Sequence, residues 1–581
     1  MFAGLGDPEK FDACADCLAH LVYQSGRHDG QPLAQVIVPN VMALRPMFEQ
    51  ILKAGDEAED QARAITRVFV ELAEQHAQFV LTATPDALQI MDALLVCGEH
   101  PVERIARMPF NFWYHLSEDV TRKENPRHAE LMAAFTPCFV RWMTSLIALL
   151  RYPEDYDSQP ADRQDDFKKF RYAVADAVVD ACRVITADVC LERFWHALTE
   201  LMGADECSWQ GVEAVLYGVR SIARFVSKDE SVFLPQIMQI IPTLPAHRPL
   251  QYTTALMVGA TSEWLPAHPE YLGSLFPYLV KLLESPDVAD AAALSIKNVC
   301  ETCRSHFTEE STATSLMQLY EGRTDSLDST AAIELTQAVT QAVSVMPDHM
   351  MMAAMPLLVR TPLAKVQALV PEYARGVTKE TSKAMVTALK RLAAIFQVFD
   401  EARKDSTEES ERSRRFNGEV GTPHPCAEIM AQVWAVLDGV LSDCIANSST
   451  MENACRVIKC AAIDVCCQRI ICSQLDTLAP GRYMVATMQL HARPLLYPLL
   501  QKLATCFHHQ PHSCFLYLCA TIVSIFGGSD DAGDQAALKE TLTTFTHAVC
   551  GEGGLLASKP SSFANRALVF FAELFVPCSR R

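Results

Sequence analysis

Positive charge is scarce in this chain. Lys and Arg number 50 against 70 Asp and Glu in 581 residues, a formal net charge of −20 at pH 7 with a pI near 5.3. Nucleic-acid phosphates call for Lys and Arg clustered along a face, so the balance argues against direct nucleic-acid binding and for basic proteins or peptide segments as partners. Strand-like alternation of apolar and polar residues is missing throughout. So are a phosphate-cradling Gly-rich loop ending in Lys-Ser/Thr, an HExxH helix, a GxSxG elbow and a GxGxxG turn. Nothing therefore supports an enzyme, a cofactor or a metal. Met1 is followed by an acidic, mixed segment rather than a basic start and an apolar run, which gives no secretory signal. The strongly apolar stretch Cys514 to Phe526 is interrupted by Thr521 and Ser524 and falls short of the about 20 residues of a membrane span. No membrane insertion is expected.

What the chain does have is apolar mass in helical register. Half of it is hydrophobic and only 21% charged, enough to bury a large core. The 21 cysteines sit mostly inside helical stripes, as Cys182, Cys300, Cys455 and Cys519 do, which reads as buried free thiol in a reducing compartment. Between about 209 and 300 the same unit is written twice: an amphipathic helix, a short turn, another helix and a turn. Val212, Val215, Leu216, Val219 and Ile222 form one 3.6-residue stripe, and Ala289, Ala292, Ala293, Ile296 and Val299 form another. First helices begin near 211, 250 and 288, steps of 39 and 38, and second helices near 231 and 270. A helix-pair period near 40 is the HEAT or armadillo spacing. The expected fold is all-α: a single HEAT-repeat α-solenoid over 1–581 whose stacked pairs present a concave binding wall.

Helices are expected over 8–24, 33–53, 56–83, 85–97, 101–120, 128–151 and 167–187, with Pro137 bending one of them and Ser285-Pro286-Asp287 starting another. Two stretches break the pattern: an acidic loop at 152–166 and a polar inter-helix segment at 405–422 that mixes DSTEESE with RSRR. Each either joins neighbouring helices or meets a partner. Four clusters of soft or pliable side chains stand out. Cys14/Cys17 and Cys300/Cys303 have CxxC spacing but fall within helices. Cys506, His508, His509, His512 and Cys514 crowd a turn that leads into a buried helix capped by Ser513. Met346, Met350, Met351, Met352 and Met355 form either core filling or a pliable contact surface.

Several words of the sequence, in order across residues 10–520, resemble transportin-SR of the importin-β family of karyopherins. They are Phe110 to Leu116, Trp209 with Glu213 to Leu216, Tyr252-Thr253-Thr254 with Glu263, Asn298 to His306, His424-Pro425-Cys426, and Gln510 to Leu518. The resemblance implies a nuclear import receptor that shuttles between cytoplasm and nucleus. It implies Arg/Ser-rich or other basic protein cargo, nucleoporin Phe-Gly repeats as pore contacts, and cargo release by Ran-GTP. A HEAT scaffold without transport activity is the competing reading.

In that family a basic helix meets the phosphates of the Arg/Ser segment, and the matching segment here is Glu452 to Ile463. Basic residues are expected at four positions spaced 3, 3 and 4 apart. This chain keeps Arg456 and Lys459 and has Asn453 and Ile463 at the other two, with Arg469 further on. Lys also lacks the bidentate fork of Arg. These three cations are the candidate cargo-binding residues. Glu154, Asp155, Asp165 and Asp166 are the candidate Ran contacts, by charge and by resemblance. Repeats that precede residue 10 in the family have no counterpart, and 527–581 matches poorly, as a divergent cap or an altered end with divergent C-terminal helices would; either the gene product is incomplete, which is the expectation, or its ends have been adapted.

Overall fold

The computed structural model describes residues 2–26, 31–203, 208–404, 427–460, 497–526, 532–551 and 555. Helices account for nearly all of them, and among the described residues there is no strand. The chain divides into two compact units, Met1–Tyr278 and Leu279–Arg581. Each is a stack of helix pairs of the HEAT-repeat α-solenoid type, built as two rows of helices.

In the first unit one row runs through Phe11–Ser25, Glu59–Gln75, Phe110–Thr121, Ala161–Ile185, Trp209–Ile222 and Arg248–Ala260, each packed on the next. Behind it lie Gln31–Met42, Pro85–Gly98 and His128–Leu149, with Ala187–Gly203 backing Trp209–Ile222. The helix expected over 33–53 is two helices, Gln31–Met42 and Arg45–Ala54. Trp209–Ile222 is paired with the helix before it rather than the one after, so the repeat is real but its phase is shifted by one helix. The contact is close. Gly218 faces the ring of Phe194, and a Cβ there would stand 2.6 Å from the ring carbon Cε1.

In the second unit the first row is Ala289–Thr302, Ser329–Val343, Lys379–Lys404, Ser448–Ile458 and Ser513–Phe526. The second is Glu310–Arg323, Asp348–Arg375 and Ala427–Asp443. Here the period can be read in single bonds. Arg323 pairs with Glu284 at 2.5 Å and Arg360 with Glu321 at 2.7 Å, each across 39 residues. Exposed pairs of this kind contribute only about 0.2–1 kcal/mol each. The apolar stripes carry the stack: Val212, Val215, Leu216, Val219, Ile222, Ala292, Ala293 and Ile296 are all fully buried.

Helix starts follow local chemistry. Thr84, Ser208, Asp328 and Asn447 each accept an N–H of the first turn with the side-chain oxygen. Ser285-Pro286-Asp287 instead forms the turn before Ala289–Thr302, with the Ser285 carbonyl accepting from Val288 and Ala289 N–H at 3.0 and 2.9 Å. His128–Leu149 runs unbroken through Pro137. It is long and apolar enough to cross a bilayer by composition, yet Phe135, Phe139, Trp142, Met143 and Leu146 are buried in the protein core.

Candidate functional site

The basic helix Ser448–Ile458 is fixed at its start by Asn447, whose side-chain oxygen caps Thr450 N–H at 2.9 Å and whose Nδ2 donates to Ser382 at 3.1 Å. Met451, Ala454, Cys455, Val457 and Ile458 turn into the core. The side chains left at the surface are Ser448, Ser449, Glu452 and Arg456, followed by half-buried Lys459. Asn453 is not among them. It is buried, and its Nδ2 donates to Ser449 carbonyl at 2.8 Å, so the first of the four expected phosphate-facing positions points inward. The outward stripe carries Glu452 in its place.

Arg456 Nη2 donates to Gln397 Oε1 at 3.2 Å on the neighbouring helix Lys379–Lys404, a neutral partner, and among the described residues it forms no salt bridge. Lys459 Nζ donates to Tyr517 hydroxyl at 3.0 Å and stands 5.2 Å from that ring's centroid. Arg469 and Ile463 lie outside the described residues, as does the polar segment 405–422. Tyr517, read in the sequence only as part of the stretch Gln510 to Leu518 that starts a buried helix, and Gln397 were not linked to these cations because they belong to other helices. Only the packing of successive first-row helices brings them to Arg456 and Lys459.

The acidic segment is shorter than expected, because the helix Ala161–Ile185 begins six residues earlier than the apolar pattern implied. Glu154 and Asp155 are on the loop, whereas Asp165 and Asp166 are helical and pair with Lys168 and Lys169 at 3.0 and 3.1 Å. The loop is pinned. Tyr156 is buried against Tyr152 and Phe167, and Gln164 Nε2 donates to the carbonyls of Tyr156 and Gln159. Glu154 remains 88% exposed at its side chain, 3.9 Å from Arg151, and Asp155 accepts from Gln159 at 2.9 Å.

An open cleft of about 200 Å³ lies in the first unit, with Leu52, Val96, Pro101 and Val102 as apolar lining and Glu59 and Glu99 at its edge. Those carboxylates are engaged by Arg104 and Arg141 at 2.6 and 2.9 Å, which leaves the cleft chiefly apolar.

The soft-ligand clusters are divided between core and surface, with His508 and His509 exposed. Cys300 and Cys303 are buried, while Cys14 is half-buried and Cys17 exposed. Cys506 Sγ donates to Leu441 carbonyl at 3.5 Å and His512 Nε2 to Ile445 carbonyl at 2.6 Å. Met346, Met351 and Met355 are core residues. Among the described residues no group of three or more His, Cys, Asp and Glu is placed to hold a metal ion.

Three segments match models of the Transportin-3/Importin-13 family in chain order: its second TPR domain at 57–148, its third at 231–319 and its fourth at 476–550. Transportin MOS14 of Arabidopsis thaliana is 26% identical over 579 residues, covering 94% of this chain and 55% of that protein. Importin-13 of Rattus norvegicus is 23% identical, covering 90% and 55%. The chain thus spans about half the length of the curated relatives it matches. Among solved structures, Importin13 in its cytosolic state superposes with a TM-score of 0.77 at 17% identity, over 98% of this chain and 63% of that one. Kap95p, in a structure concerned with its effect on the switch loops of RanGDP, gives 0.53 at 14% identity, over 94% and 65%. Kap95 with Nup1 gives 0.50 at 14% identity, over 99% and 77%. These likenesses are those of an importin-β-type HEAT solenoid.

Proposed function

We propose that this chain acts as a nuclear import receptor of the importin-β type, binding Arg/Ser-rich or other basic protein cargo and releasing it to Ran-GTP. The observation that carries the reading is the match, in order along one chain, to three successive repeat domains of Transportin-3/Importin-13. Likeness to Importin13 over nearly the whole chain supports it. The work is binding rather than catalysis, with the protein shuttling between cytoplasm and nucleus.

Cargo phosphates meet Arg456 on Ser448–Ile458 and Lys459 directly after it, with Arg469 as a third candidate. Glu154 and Asp155 offer uncovered carboxylate to Ran, with Asp165 and Asp166 contributing less because each already faces a lysine. A nucleoporin Phe side chain fits the chemistry of the apolar cleft at Leu52, Val96, Pro101 and Val102. Structures of Kap95 with RanGDP and with Nup1 favour both partner classes.

The test is capture by the immobilised chain of an Arg/Ser-domain protein, phosphorylated and unphosphorylated, with and without Ran-GTP. Cargo capture reversed by Ran-GTP is the expected result. Capture of neither cargo form sinks the receptor reading and leaves a HEAT scaffold. Capture that Ran-GTP does not reverse removes only the release step.

A further inference from the structure

We propose that Lys383 and Lys390 form a second cationic row beside Arg456 and Lys459, and that the two rows clamp a cargo segment carrying two phosphoserines. The proposal rests on the cargo-receptor reading above and adds to it the residues that replace the basic positions lost from Ser448–Ile458.

Lys383, Lys390 and Gln397 stand seven residues apart on Lys379–Lys404, a spacing that returns to the same face of a helix within about 20° per step. Gln397 holds Arg456, which places that face beside the outward stripe of Ser448–Ile458. At the other end of the contact, Ser382, next to Lys383, receives the hydrogen bond from Asn447. The other flank of Lys379–Lys404 is taken up by the preceding repeat, through Thr387 to Ser329 and Arg391 to Thr336 and Asp325. Lys383 and Lys390 are left between the two flanks, both exposed. Among the described residues neither side-chain ammonium has a salt bridge or hydrogen bond, although the Lys383 carbonyl accepts from the Thr387 hydroxyl at 2.8 Å.

On a chain of net charge −20 these four cations stand together, with Glu380 and Glu452 the carboxylates on the same stretch of the two helices and Asp400 and Glu401 further along Lys379–Lys404. Seven residues of helix rise about 10 Å, so Lys383 and Lys390 match points three residues apart on an extended peptide. Neighbouring helix axes stand about 8–10 Å apart, within reach of lysine and arginine side chains that converge on one strand of peptide between the rows. Phosphoserine, with nearly two negative charges and three acceptor oxygens, is the group such a clamp discriminates.

The experiment measures binding of the full chain to Arg/Ser peptides with no, one or two phosphoserines, and to a peptide with two glutamates at the same positions. Two chain variants are compared: Lys383→Gln with Lys390→Gln, and Arg456→Gln with Lys459→Gln. Lys383, Lys390 and Arg456 are exposed and Lys459 is half-buried, and an unchanged melting temperature verifies folding. Each pair of substitutions is expected to weaken the doubly phosphorylated peptide by about two- to thirtyfold, from about 0.2–1 kcal/mol per exposed contact, and to leave the unphosphorylated peptide unchanged. If only the Arg456/Lys459 variant weakens binding, the second row is overturned and the receptor reading stands. Equal loss with the glutamate peptide overturns the phosphate assignment. Absence of binding by any peptide to the unaltered chain overturns the receptor reading and this proposal with it.

Discussion

Arg171 directs Nη2 at both carboxylate oxygens of Glu213, 2.9 and 2.7 Å away, although the two residues stand 42 positions apart. The pair ties Ala161–Ile185 to Trp209–Ile222, and Thr253 hydroxyl extends it to the next first-row helix by donating to Glu213 Oε1 at 2.6 Å. Tyr152 and Tyr217 each hold a ring 4.2 Å from the guanidinium carbon. Glu213 is fully buried and Arg171 nearly so, so removal of one partner leaves a charge with no water to take it. Glu213→Ala is expected to cost about 3–5 kcal/mol of stability, read as a lower urea midpoint. A double variant replacing both residues by apolar ones should recover much of that loss. A single variant as stable as the parent would contradict the view that this pair fastens three repeats.

Gly218→Ala tests the closeness of the second-row backing. The added methyl would lie 2.6 and 2.8 Å from Cε1 and Cζ of Phe194, a ring with no exposed surface. Overpacking of this kind costs about 1–3 kcal/mol. The companion change Phe194→Leu in the Gly218→Ala background should restore part of the loss, whereas the same change alone should destabilise. Differential scanning calorimetry of the four proteins separates these outcomes.

Asp180 supplies a pH dependence. Burial, with Asp176 and Glu118 nearby and only partly offset by Arg183, pushes its carboxyl up to about 6. The folded state therefore binds this proton more tightly than the unfolded chain does. The stability it contributes is present at low pH and is lost as pH rises through about 6. Asp180→Asn removes the titration. Melting temperatures at pH 5.5 and 7.5 are expected to differ less in the variant than in the parent, with most of the change appearing as a gain at pH 7.5. An identical pH difference in both proteins would assign the effect to other groups.

The fold was legible because repetition amplifies a weak signal. A lone stripe such as Val212 to Ile222 fits many helical proteins, but its recurrence near every 40 residues leaves few architectures. Local chemistry misplaced the ends. Asp165 and Asp166 read as loop because they are charged, whereas in the structure each pairs with a lysine three residues on and the helix extends through them. The phase of the pairs was not legible either, since Trp209–Ile222 has apolar faces for both neighbours, and the close contacts of Gly211 with Leu201 and of Gly218 with Phe194 show that it packs on Ala187–Gly203. For the candidate site, Arg456 and Lys459 were visible as spacing on one helix. Tyr517, Gln397 and the row at Lys383 and Lys390 depend on which helices stack side by side. The seven-residue interval among 383, 390 and 397 was the one trace of that row in the sequence.

Tyr517 decides how well Lys459 is aimed. A free lysine side chain costs as much as about 2 kcal/mol in rotamer freedom when it is held in one position. The 3.0 Å bond to the Tyr517 hydroxyl and the ring beneath Nζ meet part of that cost before any ligand arrives. One ammonium hydrogen is used in that bond. Tyr517→Phe keeps the ring and removes the hydroxyl, so it should weaken a phosphorylated Arg/Ser peptide by about two- to tenfold, the worth of one ordinary hydrogen bond. Tyr517→Ala should weaken it further by removing the cation–π surface as well. Neither change should affect the unphosphorylated peptide, and both effects should shrink as salt rises, because partly exposed charges are screened within about 8 Å at 0.15 M. If Tyr517→Phe instead tightens phosphopeptide binding, the hydroxyl competes with the phosphate for Lys459, and the tyrosine restrains the site rather than organising it.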